Sequence, residues 1–281
     1  MILQIMAARA MASRGRLADA GGLRGTGRRS GSVTERNFAT ISGRSWGFFL
    51  GGLAEPFLYL FSVGYGLGAR IGFVPLSDGH LVTYAAFVAP AMLAASAMNA
   101  TFAAIATRFF GLHRFVRLYD TVIATPVRPI EIALGEIAWS VLCGAVYSTS
   151  FVTLMVLMDL TTWPRALLAL PASLLIGAAF GGAGVIIATF MRGWPDFSLV
   201  YLAQFVLFLL SGTFVPPQHY PVVIQWLMYA SPLYQSINLL RAITLGTGNP
   251  ANWLVSLAYL AVFGVVGIAI AARRVNRMLY V

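Results

Sequence analysis

The sequence predicts an all-α polytopic membrane protein with six transmembrane helices, a cytoplasmic interfacial helix and an extracytoplasmic re-entrant helical hairpin. Three observations predict it. The 281 residues are 59% hydrophobic and only 10% charged, against about 25% charged in soluble domains, so there is too little polar surface to clothe a soluble globule. Six apolar runs approach or exceed the ~20 residues that a helix needs to span a bilayer. The arginines also segregate to one side of those runs.

The chain opens with a basic arm. "RGRLADAGGLRGTGRRSGS" is rich in Arg, Gly and Ser, and no apolar region of signal-peptide length precedes it, so residues 1–33 read as a disordered tail rather than a cleaved signal. Adhesion to anionic lipid is the alternative role. Residues 34–281 read as one transmembrane domain. Its first piece, "SVTERNFATISGRSW", is amphipathic, with Ser32 or Thr34 as caps, Glu35 near the helix start and Trp46 at the interface. Spans follow at about 46–69, 82–107, 130–157, 167–191, 197–215 and 253–272.

Sixteen of the 19 basic residues, all arginine, fall in the N-terminal arm, the 2–3 and 4–5 connections and the C-terminal tail; Arg70, Arg165 and Arg241 fall on the other side. This places both termini in the cytoplasm and requires an even number of crossings. The stretch from Leu209 to Gly246 is apolar yet broken by Pro216, Pro217, Pro221 and Pro232. If it crossed, the tail "RRVNR" would lie outside. It therefore reads as a hairpin over about 218–245 that enters the outer leaflet and returns, with Arg241 near the outer surface. Broken backbone at that depth must be buried in protein or line a cavity.

Several chemistries are excluded. The sequence contains no lysine, so it holds neither a Walker A loop nor a Schiff-base lysine. One cysteine, Cys143, allows no intrachain disulfide. His80, His113 and His219 are scattered without ligand spacing. No acid pair or Ser-His-Asp set converges in one loop, and the only enzymatic grouping, Asp78, His80, Asp159 and His219 on the outer side, is too dispersed to outweigh transport. No metal, resident cofactor or nucleic-acid partner is expected.

Three features could carry mechanism. In "GLHRFVRLYDTVIATPVRP", Leu112, Phe115, Val116, Tyr119, Val122 and Ile123 repeat at three- and four-residue spacing, with Arg114, Arg117, Asp120 and Thr121 mainly opposite. That is a short helix in the cytoplasmic interface, ended by Pro126 and Pro129. Periodicity leaves open whether it docks a cytosolic subunit or has no partner. Glu55, with Pro56 as a kink, and Glu136 lie inside spans 1 and 3, where carboxylates are costly. A proton-coupled carrier would use such groups, but there is no intramembrane lysine or histidine to relay with, so a structural or gating role is favoured. Gly177, Gly181 and Gly184 in span 4, and Gly64, Gly66 and Gly68 at the end of span 1, read as packing positions.

Three motifs in order, "RNFATISGRSWGFFLGGLAEPFLYLFSVGYGLG", "YDTVIATPVRPIEIALGEIAW" and "LFLLSGTFVPPQHYPVVIQWLMYASPLYQSINLLRAITLG", resemble the ABC-2 type permease family. Within it the chain is similar to the lipo-oligosaccharide exporter (NodJ-like) branch, related to the daunorubicin-resistance permeases. The resemblance runs from about residue 34 to the end; the long basic arm and the doubled Pro216-Pro217 depart from it. It implies the membrane subunit of an ATP-binding-cassette exporter in a bacterial inner membrane. Such a subunit is not itself an enzyme: it pairs with an identical or related permease and binds a cytosolic ATPase that carries the ATP and Mg. The implied substrate is amphipathic, a lipid-linked saccharide or a hydrophobic natural product. The implied coupling helix carries His113, Arg114, Arg117, Leu118, Asp120 and Thr121. Glu55, Pro56 and Glu136 become gate or packing positions, and Ser211, Gly212, Pro216, Pro217, Pro232 and Arg241 form an outer gate. The aromatics Phe57, Tyr59, Phe61, Tyr65, Tyr201, Phe205 and Phe208 would line a path, or face lipid or core. The alternative is a secondary carrier or channel needing no ATPase.

Overall fold

The computed structural model describes residues 34, 54, 57–76, 79–114, 129–246 and 250–280. Among the described residues, four helices are long and apolar enough to cross a bilayer. The first continuous described stretch is helical over 57–71, with a π-helical segment at Ser62–Leu67 and a last α-helical turn, α1, at Gly68–Ile71. The π segment closes with the Gly68 N–H donating to the Val63 carbonyl, an i→i+5 bond. Gly64 and Gly66 fall inside it. The rest of the first predicted span, with Glu55 and Pro56, lies outside the described residues.

A small antiparallel ladder then departs from the purely helical expectation: β1, Phe73–Pro75, pairs with β2, Leu81–Thr83. Phe, Val, Leu and Thr suit strands. Gly72 (φ 73°) turns the chain out of α1 and Gly79 (φ 77°) turns it between the strands. Val74 and Val82 pack on the core while Phe73 and Leu81 face outward.

The long helices follow: α2, Tyr84–Arg114; α3, Pro129–Leu157; α4, Trp163–Phe190; and, last in the chain, α8, Pro250–Tyr280. The Ala86 N–H bonds to Thr83 Oγ1 at the start of α2, and Pro164 occupies the first turn of α4, where no N–H is missed. α2, α3, α4 and α8 pack mutually. Their closest approach is glycine-based: a Cβ on Gly182 of α4 would stand 2.8 Å from the Gly267 and Ile268 backbone of α8, and one on Gly264 3.3 Å from Ala179 Cα. The glycines of span 4 are therefore packing positions, as their sequence context indicates. The buried side chains form two groups. One surrounds Leu60, Phe87, Phe151, Phe180 and Leu240; the other, at the opposite end, surrounds Ile105, Phe109, Ile132 and Val275.

Between α4 and α8 run three short helices: α5, Asp196–Leu209; α6, Val222–Ala230; and α7, Pro232–Leu245. A 3-10 turn at Pro217–His219 precedes α6. α5 has 14 residues, about 21 Å at ~1.5 Å per residue, short of the ~30 Å hydrocarbon core. The sequence reading ran this span to 215 and had Pro216-Pro217 stop it. The helix ends instead at Leu209, because a Ser-Gly-Thr turn intervenes. The arginines also sit differently. Arg108 and Arg114 belong to α2, and Arg273, Arg274 and Arg277 to α8, on helix ends rather than in loop or tail.

Candidate functional site

The end of α5 is shaped by its own hydroxyls. Ser211 Oγ donates to the Phe208 carbonyl at 2.6 Å, and Thr213 Oγ1 lies 2.7 Å from it. Gly212 takes φ 67°, and a Cβ there would meet Met228 Cε at 3.2 Å and the Tyr234 ring at 3.6 Å. Both backbone and space therefore call for glycine. Arg241 of α7 closes this turn onto the bundle. Its Nη2 donates to the Gly212 and Thr213 carbonyls at 3.0 and 3.1 Å, and its Nε to the Phe87 carbonyl of α2 at 3.2 Å. The guanidinium also lies 3.9 Å from the Phe87 ring centroid. A planar fork makes these bonds together, which a lysine could not.

α6 and α7 meet at Ser231, extended at ψ 129°, with Pro232 opening the second helix. α7 packs on α2, α4 and α8. Gln235 and Asn238 both bond Ser256 of α8, at 2.8 and 3.2 Å, and Tyr259 Oη donates to the Ala230 carbonyl at 2.6 Å. At its far end α7 stops at Gly246 (φ 66°), over which the Arg165 guanidinium packs while donating to the Leu245 carbonyl at 2.9 Å. A cation at a helix C-terminus is favourably placed. Thr161 donates to the Thr244 carbonyl beside it. The connection between α3 and α4 thus docks on the end of α7.

At the opposite end of the bundle, Glu136 is 1% exposed, with its Oε2 3.5 Å from Arg108 Nε. The Arg108 guanidinium also lies 5.9 Å from the Trp139 ring. Next to this pair three aromatics interlock. Phe110 of α2 stands edge-on to Trp194 and to Phe197, each at 5.6 Å, and those two stack at 5.2 Å. Asp196 accepts from the Arg192 and Gly193 backbone N–H groups, fixing the start of α5. Arg274 of α8 reaches Thr189 Oγ1 at 3.0 Å and lies over the Phe190 ring. At residue 34 the Thr34 hydroxyl donates to the Gly135 carbonyl of α3.

Between α2 and α5 lies a pocket of about 320 Å³. Ser96 and Asn99 face it from α2, and Tyr201, Gln204, Phe205 and Phe208 from α5, with Tyr59 at its edge. Gln204 Nε2 reaches Asn99 Oδ1 at a long 3.4 Å. Ser96 Oγ, on a residue 5% exposed, has no hydrogen-bond partner among the described residues.

Of the residues singled out from sequence, Ser211, Gly212, Pro216, Pro217, Pro232 and Arg241 fall on the α5–α7 segment, and Arg241 physically links Gly212 to α2. Glu136 meets Arg108, which the sequence reading counted only as a loop charge. The signal was available: Arg108 stands six residues before the end of α2 and Glu136 seven after the start of α3, nearly equal depths on helices joined by one connection. His113 and Arg114 lie in the last turn of α2, their side chains outside the described set. Arg117, Leu118, Asp120 and Thr121, with Glu55 and Pro56, lie outside the described residues altogether. Ser96, Asn99 and Gln204 were passed over. Yet Gln204 sits in the 201/204/205/208 stripe of α5, and Ser96 and Asn99 share a face of α2 at three-residue spacing.

Apolar membrane-length helices in glycine contact define a multi-pass helical membrane protein. The chain belongs to the ABC-2 type transporter family, whose model matches residues 30–245. It is 34% identical to Nodulation protein J of Sinorhizobium fredii (strain NGR234) over 213 residues, 75% of this chain and 79% of that protein. It is 30% identical to Nodulation protein J of Rhizobium leguminosarum bv. viciae over 250 residues, 88% and 94% of the two chains. It is 27% identical to the inner membrane transport permease YadH of Escherichia coli K12 over 212 residues, 73% and 78% of the two chains.

Proposed function

We propose that the chain is the membrane-spanning half of an ATP-driven exporter for an amphipathic substrate, a lipid-linked saccharide or a hydrophobic natural product. It lies in a bacterial inner membrane with both termini cytoplasmic. It pairs with a second permease, identical or related, and docks a cytosolic ABC ATPase through the segment 111–125. Six crossings, with α6 and α7 as a hairpin returning to the outer face, satisfy the arginine asymmetry. The total absence of lysine accords with an ATP site, and its Mg, on another chain.

The observation that carries the reading is the connectivity at the end of α2. The first four residues of the docking segment, 111–114, are the last of α2. That end is joined to α3 by Arg108 and Glu136 and to the start of α5 by Phe110 against Trp194 and Phe197. A push delivered there by closing ATPase subunits therefore reaches α5, whose other end is the Ser211–Thr213 turn held by Arg241. Glu136 also argues against the rival reading, a proton-coupled carrier, since its carboxylate is spent on a fixed cation.

The experiment is charge reversal in the docking segment. Arg114→Glu with Arg117→Glu should abolish co-purification with the cognate ATPase and any stimulation of its ATP hydrolysis, while the permease still inserts and stays monodisperse. Unchanged assembly and stimulation would refute the docking role.

A further inference from the structure

We infer that the far end of the α4–α8 seam holds the headgroup of an anionic phospholipid, with its acyl chains laid along the exposed face of α8. The topology proposed above puts this end at the inner leaflet, and only that placement rests on it. The chemistry stands on the side chains.

The seam between the two helices is regular. Gly264 meets Ala179, Gly267 meets Gly182, and Arg274 Nε donates to Thr189 Oγ1, so one offset of 85 residues relates α8 to α4 at three successive levels. A constant offset means that the helices run parallel. α4 stops first, at Phe190, while α8 continues to Tyr280. On the turns of α8 around and beyond that stop, Arg273, Arg274 and Arg277 fall within an arc of about 100° at ~100° per residue. Arg192 follows the end of α4 by two residues and follows Thr189, which Arg274 touches, by three.

Among the described residues no carboxylate side chain pairs with these four cations. The described ion pair, Arg108 with Glu136, uses neither helix. Arg274 spends one N–H on a neutral hydroxyl and lies over the Phe190 ring. Asp196 is turned onto the Arg192 and Gly193 backbone N–H groups. Arginine is the side chain best shaped for phosphate, and basic clusters between helices on the cytoplasmic side suit anionic headgroups.

The apolar surface next to the cluster makes the occupant a lipid. Val262, Val266 and Ile270 are exposed and lead at helical spacing to the exposed Arg273 and Arg277. From Val262 to Arg273 is about 16 Å at ~1.5 Å per residue, close to half of the ~30 Å hydrocarbon core. An acyl chain covers that stripe while its phosphodiester reaches the arginines. Phe190, exposed beside them, stands where interfacial aromatics are expected. Free phosphate leaves the stripe uncovered, and a zwitterionic headgroup brings its own cation to the cluster. An acidic protein surface could meet the arginines but could not follow α8 into hydrocarbon.

The test uses the full chain in mild detergent with phosphatidylglycerol carrying a photoreactive diazirine near the carbonyl end of one acyl chain. Labelled peptides should fall within 262–277. Unlabelled phosphatidylglycerol should compete, while phosphatidylcholine of the same acyl chains, inorganic phosphate and glycerophosphoglycerol at equal concentration should not. Arg273→Gln and Arg277→Gln, both on exposed side chains, should each weaken binding roughly five-fold, whereas Arg70→Gln, on exposed α1, should not. Labelling elsewhere, or equal competition by phosphatidylcholine, overturns the site. Displacement by inorganic phosphate or glycerophosphoglycerol reduces it to a phosphate site and overturns the lipid. If the glutamine variants keep their lipid labelling but lose co-purification with an ATPase, the patch is a protein interface instead. The wild-type competition order decides alone if a variant does not fold. Export is read separately: failure of the Arg114 and Arg117 reversals to affect ATPase docking leaves this site standing, and loss of lipid selectivity leaves that docking untouched.

Discussion

Arg108 and Arg241 are both drawn into the bundle, and each is neutralised by different means. Arg108 has a carboxylate, Glu136, beside it; Arg241 has three carbonyls and a ring. Glu136→Gln removes an anion from beside a cation that is only 18% exposed. The loss should approach about 3 kcal/mol, the lower end for breaking a buried pair, since Arg108 keeps some solvent access. The double change Arg108→Met with Glu136→Leu should recover much of it, and a thermal or chemical unfolding cycle on the purified permease reads both. Gly212→Ala forces a Cβ into left-handed backbone, at about 1–2 kcal/mol, and against Met228. It should lower the unfolding midpoint and speed hydrogen exchange through α6 and α7, while Ala at the exposed Gln218 should do neither. At this scale the sequence was informative about which residues matter and silent about what they touch. Arg241 read as a gate position near the outer surface, without a partner named, because only tertiary contact brings it to Phe87. Arg108 was hidden because charge counting treats a helix end as a loop.

The helices themselves were legible where composition alone decides. Apolar runs of 20 or more residues gave α2, α3, α4 and α8 with ends shifted by up to eight residues, the largest shifts where arginines extend a helix past the apolar run. The break at Ser231-Pro232 was legible because proline removes a helical donor and disfavours helix before it. The end of α5 was misjudged. Pro216-Pro217 was the louder signal, yet the local bonds of Ser211 and Thr213 stop the helix six residues before the stop predicted at 215. The β1–β2 ladder was missed because three-residue strands carry too little alternation to register. The tightest helix pair offers a direct check. Gly182→Val must push α4 away from the Gly267 and Ile268 backbone, so it should cost about 1–3 kcal/mol as an overpacked contact. The same change at Gly111, where nothing lies within 4 Å, should be far milder.

On the scale of the whole molecule, orientation rests on the arginines and can be measured. In a Cys143→Ala background, Gln218→Cys on the exposed 3-10 turn should react with an impermeant thiol reagent added outside intact cells. A cysteine in the C-terminal tail should react only after permeabilisation. Protection at 218 with labelling of the tail would sink the six-crossing arrangement. Membership of the ABC-2 family was legible from three separated motifs, because family identity is carried by local sequence. The pocket between α2 and α5 was not, because it is made by the distance between two helices, which no single stretch encodes.

The uneven packing of α5 has a mechanical consequence. α7 is fastened to α2 by Arg241, to α8 by Gln235, Asn238 and Ser256, and at its tip to the start of α4 by Arg165. α5 buries two side chains, and the turn that follows it carries Gly212 with positive φ. Among the described residues the fastened part thus includes α7 but not α6, which buries only Met228; α5 and α6 are the two lightly held vanes on a stator. Segments with few buried contacts open at the least free energy, so strain on this protein would be taken up first by the vanes.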